Sequence, residues 1–425
     1  MLADFREYMI RCARCSNCKF IPQAMISNSR YAYSCPSITK YLFHTYSGGG
    51  RLITALAMND GRIDYSDKLI DIIYQCQLCG ACDISCKYGQ DIEVLQPLYE
   101  LRVKCVGDGQ LHPVHMLTID GLRKEDNMLL QRKADRGNWA EGLDVKNITQ
   151  EGAEVYFHTG CRYSYDEELW PIARAAVQLL QKAGVDVAIA GKDENCCAGR
   201  AYDLGYLGEL TKYAESNVEM LKTAKAKTVV TCCSDCYHAF KVLYDKSGLK
   251  KDIKVLHITE YLDHLIQEGR LKPSKTVPMT VTYHDPCHLG RLGEPWVTWN
   301  GVISTNPTER WKHVPEKEIR KGTYGIYEPP RNVLKSIRGL KLIEMTRIKE
   351  YTWCCGAGGG VVDAYPEFSE WTAAERIQEA LDTGAEALVT TCPWCIRNFR
   401  DSVEATGADL KVYDVVELFQ QSIED

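Results

Sequence analysis

The sequence predicts an α+β protein: a helical, cysteine-bearing N-terminal domain followed by two duplicated α/β modules related by pseudo-twofold symmetry. Three observations predict it. From about residue 151 onward, short apolar strands alternate with amphipathic helices, the pattern of layered parallel sheets. In that stretch one cysteine, an adjacent pair and a C-x-x-C follow in that order, twice. Ahead of it, two tight cysteine runs are separated by segments with apolar residues at helical spacing. A chain of 425 residues is too long for one core. It divides into residues 1–110, a connecting segment 111–150, and modules over 151–272 and 273–425.

Composition excludes several classes. A formal net charge of -6 lacks the basic stripe that phosphate backbones require, so nucleic acid is not expected as a partner. No apolar run reaches the ~18 residues of a membrane span, and MLADFREYMIRC has no secretion-signal core. A cytoplasmic protein is expected, able to sit peripherally on the inner face of a membrane. Twenty cysteines in such a chain point to metal rather than disulfides. Runs of three and four closely spaced cysteines exceed what zinc takes. They fit iron–sulfur clusters.

In the N-terminal domain Cys12, Cys15 and Cys18 form C-x2-C-x2-C, with Cys35-Pro36 after a gap. Cys76, Cys79, Cys82 and Cys86 form C-x2-C-x2-C-x3-C. In two-cluster proteins the fourth ligand of one run comes from the other. That assigns Cys12, Cys15, Cys18 and Cys86 to one 4Fe–4S cubane and Cys76, Cys79, Cys82 and Cys35 to a second. Residues 51–60 and 66–75 read as helices, the latter capped by Ser66. This segment resembles the helical ferredoxin module of fumarate reductase and heterodisulfide reductase small subunits. Gly48-Gly49-Gly50 lacks the lysine and preceding strand of a phosphate loop and reads as a flexible turn. A helix around Val94–Lys104 precedes polar sequence of little periodicity. Cys105, with no cysteine nearby, reads as a buried apolar residue.

In the first module a strand Glu154–His158 leads to Cys161, then a helix over 169–183 and a strand 185–190 lead to Cys196-Cys197. Strand Thr228–Thr231 runs into Cys233-Ser-Asp-Cys236, and Lys254-Val-Leu-His-Ile with a helix through Tyr261–Ile266 closes the copy. In the second, Thr280–Tyr283 leads to His284-Asp-Pro-Cys287, and Leu340–Met345 leads to Cys354-Cys355-Gly356. Helix 367–382 and strand Ala387–Thr390 lead to Cys392-Pro-Trp-Cys395, and Lys411-Val-Tyr-Asp-Val with helix Val416–Ile423 ends it. Each cysteine group follows a strand, and strand C-terminal ends are where open α/β sheets place their sites. Cys232 has Thr391 as its counterpart, which makes Cys233 the ligand and Cys232 a neighbour. The second module carries extra sequence over roughly 293–325, with Trp296, Trp299 and Trp311. A partner-binding or substrate-gating loop and an inert surface excursion are both open readings.

The stretches HTGC, CCAGRAYDLG, YHDPCHLGR, YEPPRNVL and CCGAGGG resemble the CCG-domain family of iron–sulfur oxidoreductases. That family includes the catalytic chain of heterodisulfide reductase and the iron–sulfur chain of glycolate oxidase. The resemblance covers nearly the whole sequence. It implies one non-cubane 4Fe–4S cluster on Cys161, Cys196, Cys197, Cys233 and Cys236, and another on Cys287, Cys354, Cys355, Cys392 and Cys395. It also implies cleavage or formation of a disulfide between them, with the cubanes as a wire. The first copy departs in having Ala198 where glycine is usual. His284 and His288 are candidate proton donors; His158 and His238 read as groups that hydrogen-bond backbone or cluster sulfur. The glycines of 356–360 follow a cysteine pair and read as a close backbone approach to a cluster, not a dinucleotide site. No flavin or nicotinamide fingerprint is present. Redox partner subunits are therefore expected: a flavoprotein, a ferredoxin-like protein or a membrane cytochrome or quinone subunit. The competing reading is an electron relay, in a glycolate-oxidase-type dehydrogenase or in an electron-bifurcating or aromatic acyl-CoA-reducing complex.

Overall fold

Parallel strand pairing organises the chain beyond residue 145. The computed structural model describes residues 1–250, 252–304 and 312–424. Strands β1 (Lys146–Asn147), β2 (Val155–His158), β3 (Val187–Ile189), β4 (Thr228–Thr231) and β5 (Lys254–His257) form one sheet in the order β1-β3-β2-β4-β5. In the second module β6 (Thr276–Tyr283) is followed by a hairpin of β7 (Val302–Ser304) and β8 (Lys312–Val314). Then come β9 (Arg338–Leu342), β10 (Ala387–Thr390) and β11 (Lys411–Asp414). Its sheet runs β9-β6-β10-β11, the same order as β3-β2-β4-β5. The central strands VYFH and ALVT are buried along their whole length, as parallel strands covered on both faces must be.

The duplication extends to the helices. In each module the last helix starts on a reciprocal cap, His257 with Glu260 and Asp414 with Glu417. The last helix of each module, Ile258–Gln267 and Val415–Ser422, packs on the first long helix of the other, Glu328–Ser336 and Trp170–Lys182. That reciprocity is the signature of a pseudo-twofold pair. Two details differ from the sequence reading. The 111–150 segment is no bare connection, because it supplies helix Pro113–Glu125 and the edge strand β1. The adjacent cysteine pairs also do not follow their strands directly: a 3-10 turn separates β3 from Cys196, and a longer loop separates β9 from Cys354.

The N-terminal domain is helical. Ser66 caps helix Asp67–Tyr74 through the N–H of Leu69 at 3.3 Å. Gly48-Gly49-Gly50 corrects the flexible-turn reading. It is the first turn of helix Gly48–Asn59, capped by Ser47, and the absent side chains make room for cysteines described below. The 293–325 segment is clamped on the N-terminal domain by the ion pair Lys317–Glu93, with Trp296 under the Lys246 ammonium of the first module. Trp299 donates its indole N–H to the Pro315 carbonyl at 3.0 Å, and Trp311 lies outside the described residues. Among the described residues no helix is long and apolar enough to cross a membrane.

Candidate metal centre

Helix Arg6–Arg11 ends at Cys12, and left-handed residues Arg14 and Ser16 curl the chain so that Cys15 and Cys18 turn back beside it. Cys82 and Cys86 lie one turn apart on helix Ala81–Lys87. They serve different sites. Cys12, Cys15, Cys18 and Cys86 line one cavity of about 340 Å³, and Cys35, Cys76, Cys79 and Cys82 line another of about 340 Å³. The helix start at Gly48–Gly49 stands between them. Gly49 donates its N–H to Cys18 Sγ at 3.3 Å, and a Cβ on Gly48 would come within 2.8 Å of Cys82 Cβ. Cys15 is exposed, so the first set faces solvent.

The two modules bring together ten more cysteines, all buried. Side-chain contact runs Cys161–Cys196–Cys197–Cys236–Cys233 in the first set. In the second it runs Cys287–Cys354–Cys355–Cys395–Cys392, the same order position for position. The local geometry repeats as well: Ala198 N–H donates to Cys196 Sγ, and Gly356 N–H to Cys354 Sγ, each at 3.3 Å. Cys233 meets Cys392, and Cys79 meets Cys354. Three of the four sets are thereby in contact, and the first lies across the helix start at Gly48–Gly49 from the second. Burial pushes the Cys35 thiol up to about 12. Buried thiols bonded largely to one another form a donor set for a soft metal such as iron, which replaces their protons on binding. Cys105 and Cys232 are fully buried outside these series.

Cations and histidines border the sulfurs. Arg136 directs both terminal nitrogens at Cys161 Sγ at 3.7 Å and pairs with Glu194 at 2.8 Å. Glu194 in turn accepts the N–H groups of Thr159 and Gly160 on the Cys161 loop. Arg291 donates to the carbonyls of Cys79, Glu350 and Thr352 between the Cys79 set and the second module's Cys287–Cys354 set. His158 and His284 are counterparts, each edge-on to a phenylalanine 4.9 Å away, Phe240 and Phe399. Arg376 donates to His284 Nδ1 at 3.2 Å; burial together with that charge holds the imidazole neutral, leaving Nε2 to carry the proton. His284 sits within 4.8 Å of the sulfurs of Cys355 and Cys395. His288 is the opposite case. Its Nδ1 lies 2.8 Å from Asp235 and 4.0 Å from Cys287 Sγ, and these anionic neighbours outweigh burial and hold it protonated. Burial and the charged His288 keep His238 neutral, while its Nδ1 meets the Leu292 carbonyl at 2.7 Å.

The glycines of 356–360 make a close backbone approach, but to the chain that carries ligands. Cβ atoms on Gly358 and Gly359 would fall 2.6 and 2.5 Å from the carbonyl oxygens of Gln77 and Cys76. Arg102 fastens the same place, donating to the carbonyls of Ile73, Tyr74, Cys76, Asp203 and Gly359. Sequence reasoning does not single out Asp235, Glu194, Arg102, Arg136 or Arg291. Asp235 and Arg291 carry a signal, lying inside Cys233-Ser-Asp-Cys236 and YHDPCHLGR; Arg102 and Arg136 arrive from distant segments and carry none.

Comparison with known proteins agrees with this arrangement. The 4Fe-4S dicluster domain family matches residues 8–90, and the cysteine-rich domain family matches 155–241 and 318–400. A chain of the dihydromethanophenazine:CoB–CoM heterodisulfide reductase of Methanosarcina acetivorans is 32% identical over 97% of this chain and 93% of that protein. The EtfAB:quinone oxidoreductase of Syntrophomonas wolfei is 29% identical over 83% of this chain and 47% of its own length. A chain of the fumarate reductase (CoM/CoB) of Methanothermobacter marburgensis is 26% identical over 83% and 62%. A crystal structure of a hypothetical protein from Helicobacter pylori shares the fold with a TM-score of 0.54 at 11% identity, over 89% of this chain and 68% of that one.

Proposed function

We propose, from the premise that this chain belongs to the heterodisulfide reductase family of iron–sulfur oxidoreductase subunits, that it serves a redox complex in which a disulfide is reduced to, or formed from, two thiols. The observation that carries this reading is the succession of cysteine sets, from solvent-facing Cys15 across the helix start at Gly48–Gly49 and on through Cys79–Cys354 to Cys392–Cys233. In this reading Cys12, Cys15, Cys18 and Cys86 hold one 4Fe–4S cubane, and Cys35, Cys76, Cys79 and Cys82 the other. Each five-cysteine set holds one non-cubane 4Fe–4S cluster. Bound there, the clusters supply one-electron chemistry, and two adjoining centres suit the two-electron conversion of an S–S bond.

The chain's own residues do the remaining work. Arg102 and the glycines at 358 and 359 hold the N-terminal ligands against the second module. Burial of all ten module cysteines keeps water from them. His288, kept as imidazolium by Asp235, offers a proton beside Cys287, where a leaving thiolate needs one. His284, neutral, serves as a hydrogen-bond donor toward Cys355 and Cys395. The substrate class is a mixed disulfide of two thiol cofactors, after the CoB–CoM named for the relatives. The partners are redox proteins of the same complex: a flavoprotein, a ferredoxin-like protein or a membrane cytochrome or quinone-binding protein.

Anaerobic holoprotein should oxidise a reduced viologen dye only when the CoB–CoM disulfide is added, with two thiols appearing per disulfide. Similarity to the EtfAB:quinone oxidoreductase favours a second reading, a one-way electron relay. Dye oxidation that ignores the disulfide and needs an added protein or quinone acceptor would establish the relay instead.

A further inference from the structure

A cavity of about 1480 Å³, its open mouth included, lies where the N-terminal domain, the first module and the 293–325 segment meet. The disulfide reading gives it no role. Its aromatic side is built by the stacked pair Tyr99 and Tyr202, with ring centroids 4.8 Å apart and planes 7° from parallel, and by Trp296 of the extra segment. Its floor includes Leu292, which also packs on Cys79, Cys287 and Cys354. Several polar groups at this site, Arg291 Nη2 among them, lack the partners that such places require. The Tyr99 hydroxyl is buried with no hydrogen-bond partner among the described residues. The Lys246 ammonium stands 5.0 Å from the Trp296 centroid and 5.8 Å from that of Tyr202, with no carboxylate at ion-pair distance among the described residues.

We propose that this cavity binds an amphipathic organic anion, its aromatic or alkyl body against Tyr99, Tyr202 and Trp296 and its single sulfonate, carboxylate or phosphate on Lys246. The charge accounting supports an anion. The acids whose fields reach Lys246 are Glu100 and Glu93. Glu93 is held between Lys87 and Lys317, and Glu100 faces the N-terminal ammonium. Burial without a counter-ion brings the Lys246 ammonium down to about 8, and a bound anion supplies the missing charge. Aromatic-walled concavities with a few placed polar groups are the usual form of small-molecule sites. Here Lys87, Lys317 and Arg320 on the rest of the lining are already paired with Asp83, Glu93 and Glu294. The extra segment, open to reading as a partner-binding or substrate-gating loop or as an inert excursion, becomes the wall of a ligand site.

The probe is 8-anilinonaphthalene-1-sulfonate, with N-phenyl-1-naphthylamine as its uncharged counterpart, in equilibrium dialysis against anaerobic holoprotein. The expected result is one saturable site per chain that prefers the anion by about tenfold or more. Lys246→Met should erase that preference, Lys246→Arg should restore it, and Trp296→Ala should weaken both probes. Unchanged iron content and visible absorption show that each variant is folded. Absence of saturable binding, or a preference that survives Lys246→Met, would overturn the proposal. The readout is binding, so the outcome is independent of whether a disulfide is the substrate.

Discussion

Replacing Arg102 by methionine keeps an apolar stem of similar reach and removes the guanidinium on which three parts of the chain bear. That group is fully buried and donates to Cys76 at 2.6 Å, Gly359 at 2.7 Å and Asp203 at 2.8 Å, and to Ile73 and Tyr74 at 3.2 and 3.3 Å. A hydrogen bond from a charged donor contributes ~1.5–3 kcal/mol. Five added together would rival the stability of a whole domain at about 5–15 kcal/mol, so the sum is not the answer. Losing the guanidinium also relieves a desolvation cost, and its Nε is already unpartnered. The expected net loss is ~3–5 kcal/mol, the range for breaking a buried charged network from one side. Cluster proteins seldom unfold reversibly, so the measurement is a rate: bleaching of visible absorption in anaerobic denaturant. If only a third of the loss enters the opening step, bleaching accelerates about tenfold. Disulfide-dependent dye oxidation should fall further than cluster content, because the bonds at Cys76 and Gly359 tie the N-terminal sets to the second module. Bleaching within about twofold of the parent would refute the reasoning and leave the joint to its other contacts.

Anaerobic analysis should give about sixteen irons and as many sulfides per chain, four for each cysteine set; zinc with little sulfide would remove the basis of every ligand assignment. Cys105→Ser and Cys232→Ser should retain all iron, whereas Cys354→Ser should lose about four atoms. Iron loss in Cys232→Ser would show that the wrong member of its pair was chosen. Ala198 holds a left-handed φ of 56° that costs an ordinary residue ~1–2 kcal/mol, so Ala198→Gly should slow bleaching and not hasten it. His288 is held protonated above its ordinary range, so disulfide reduction should persist through neutral pH and fall as alkali removes that proton. His288→Gln should lower the rate ~100-fold and erase the alkaline limb, while His284→Gln should leave the limb in place.

The cysteines were legible because each is a chemical statement in itself. Spacing grouped them, and the structure gathers the groups. Strand and helix positions in the modules were legible for a related reason, since buried parallel strands such as ALVT carry an apolar signal that context rarely overturns. Gly48-Gly49-Gly50 misled because glycine triplets favour loops in isolation. Here the first turn of a helix must pass between two cysteine sets, and close approach overrides propensity. The roles of Arg102 and Arg291 were illegible, because each answers to backbone carbonyls from segments far away in sequence. Likewise, no spacing could tell His284 from His288. Arg376 beside one and Asp235 beside the other decide their charge, and both partners arrive through tertiary packing.

At the centre of the seam between the N-terminal domain and the second module, main chain meets main chain: carbonyls of Cys76 and Gln77 on one side, Gly358 and Gly359 on the other, and Arg102 reading oxygen atoms on both. Side-chain pairs such as Tyr31–Asp382, Asp71–Tyr365 and Glu93–Lys317 hold its margins. That central stretch has little side-chain sequence to drift. Substitutions on the outer surfaces of either domain can accumulate without loosening it, provided the two glycines, the arginine and the pairs at the margins stay. Divergence and docking are thereby uncoupled, which lets the surfaces that meet other proteins change freely while the distance between cysteine sets inside stays fixed.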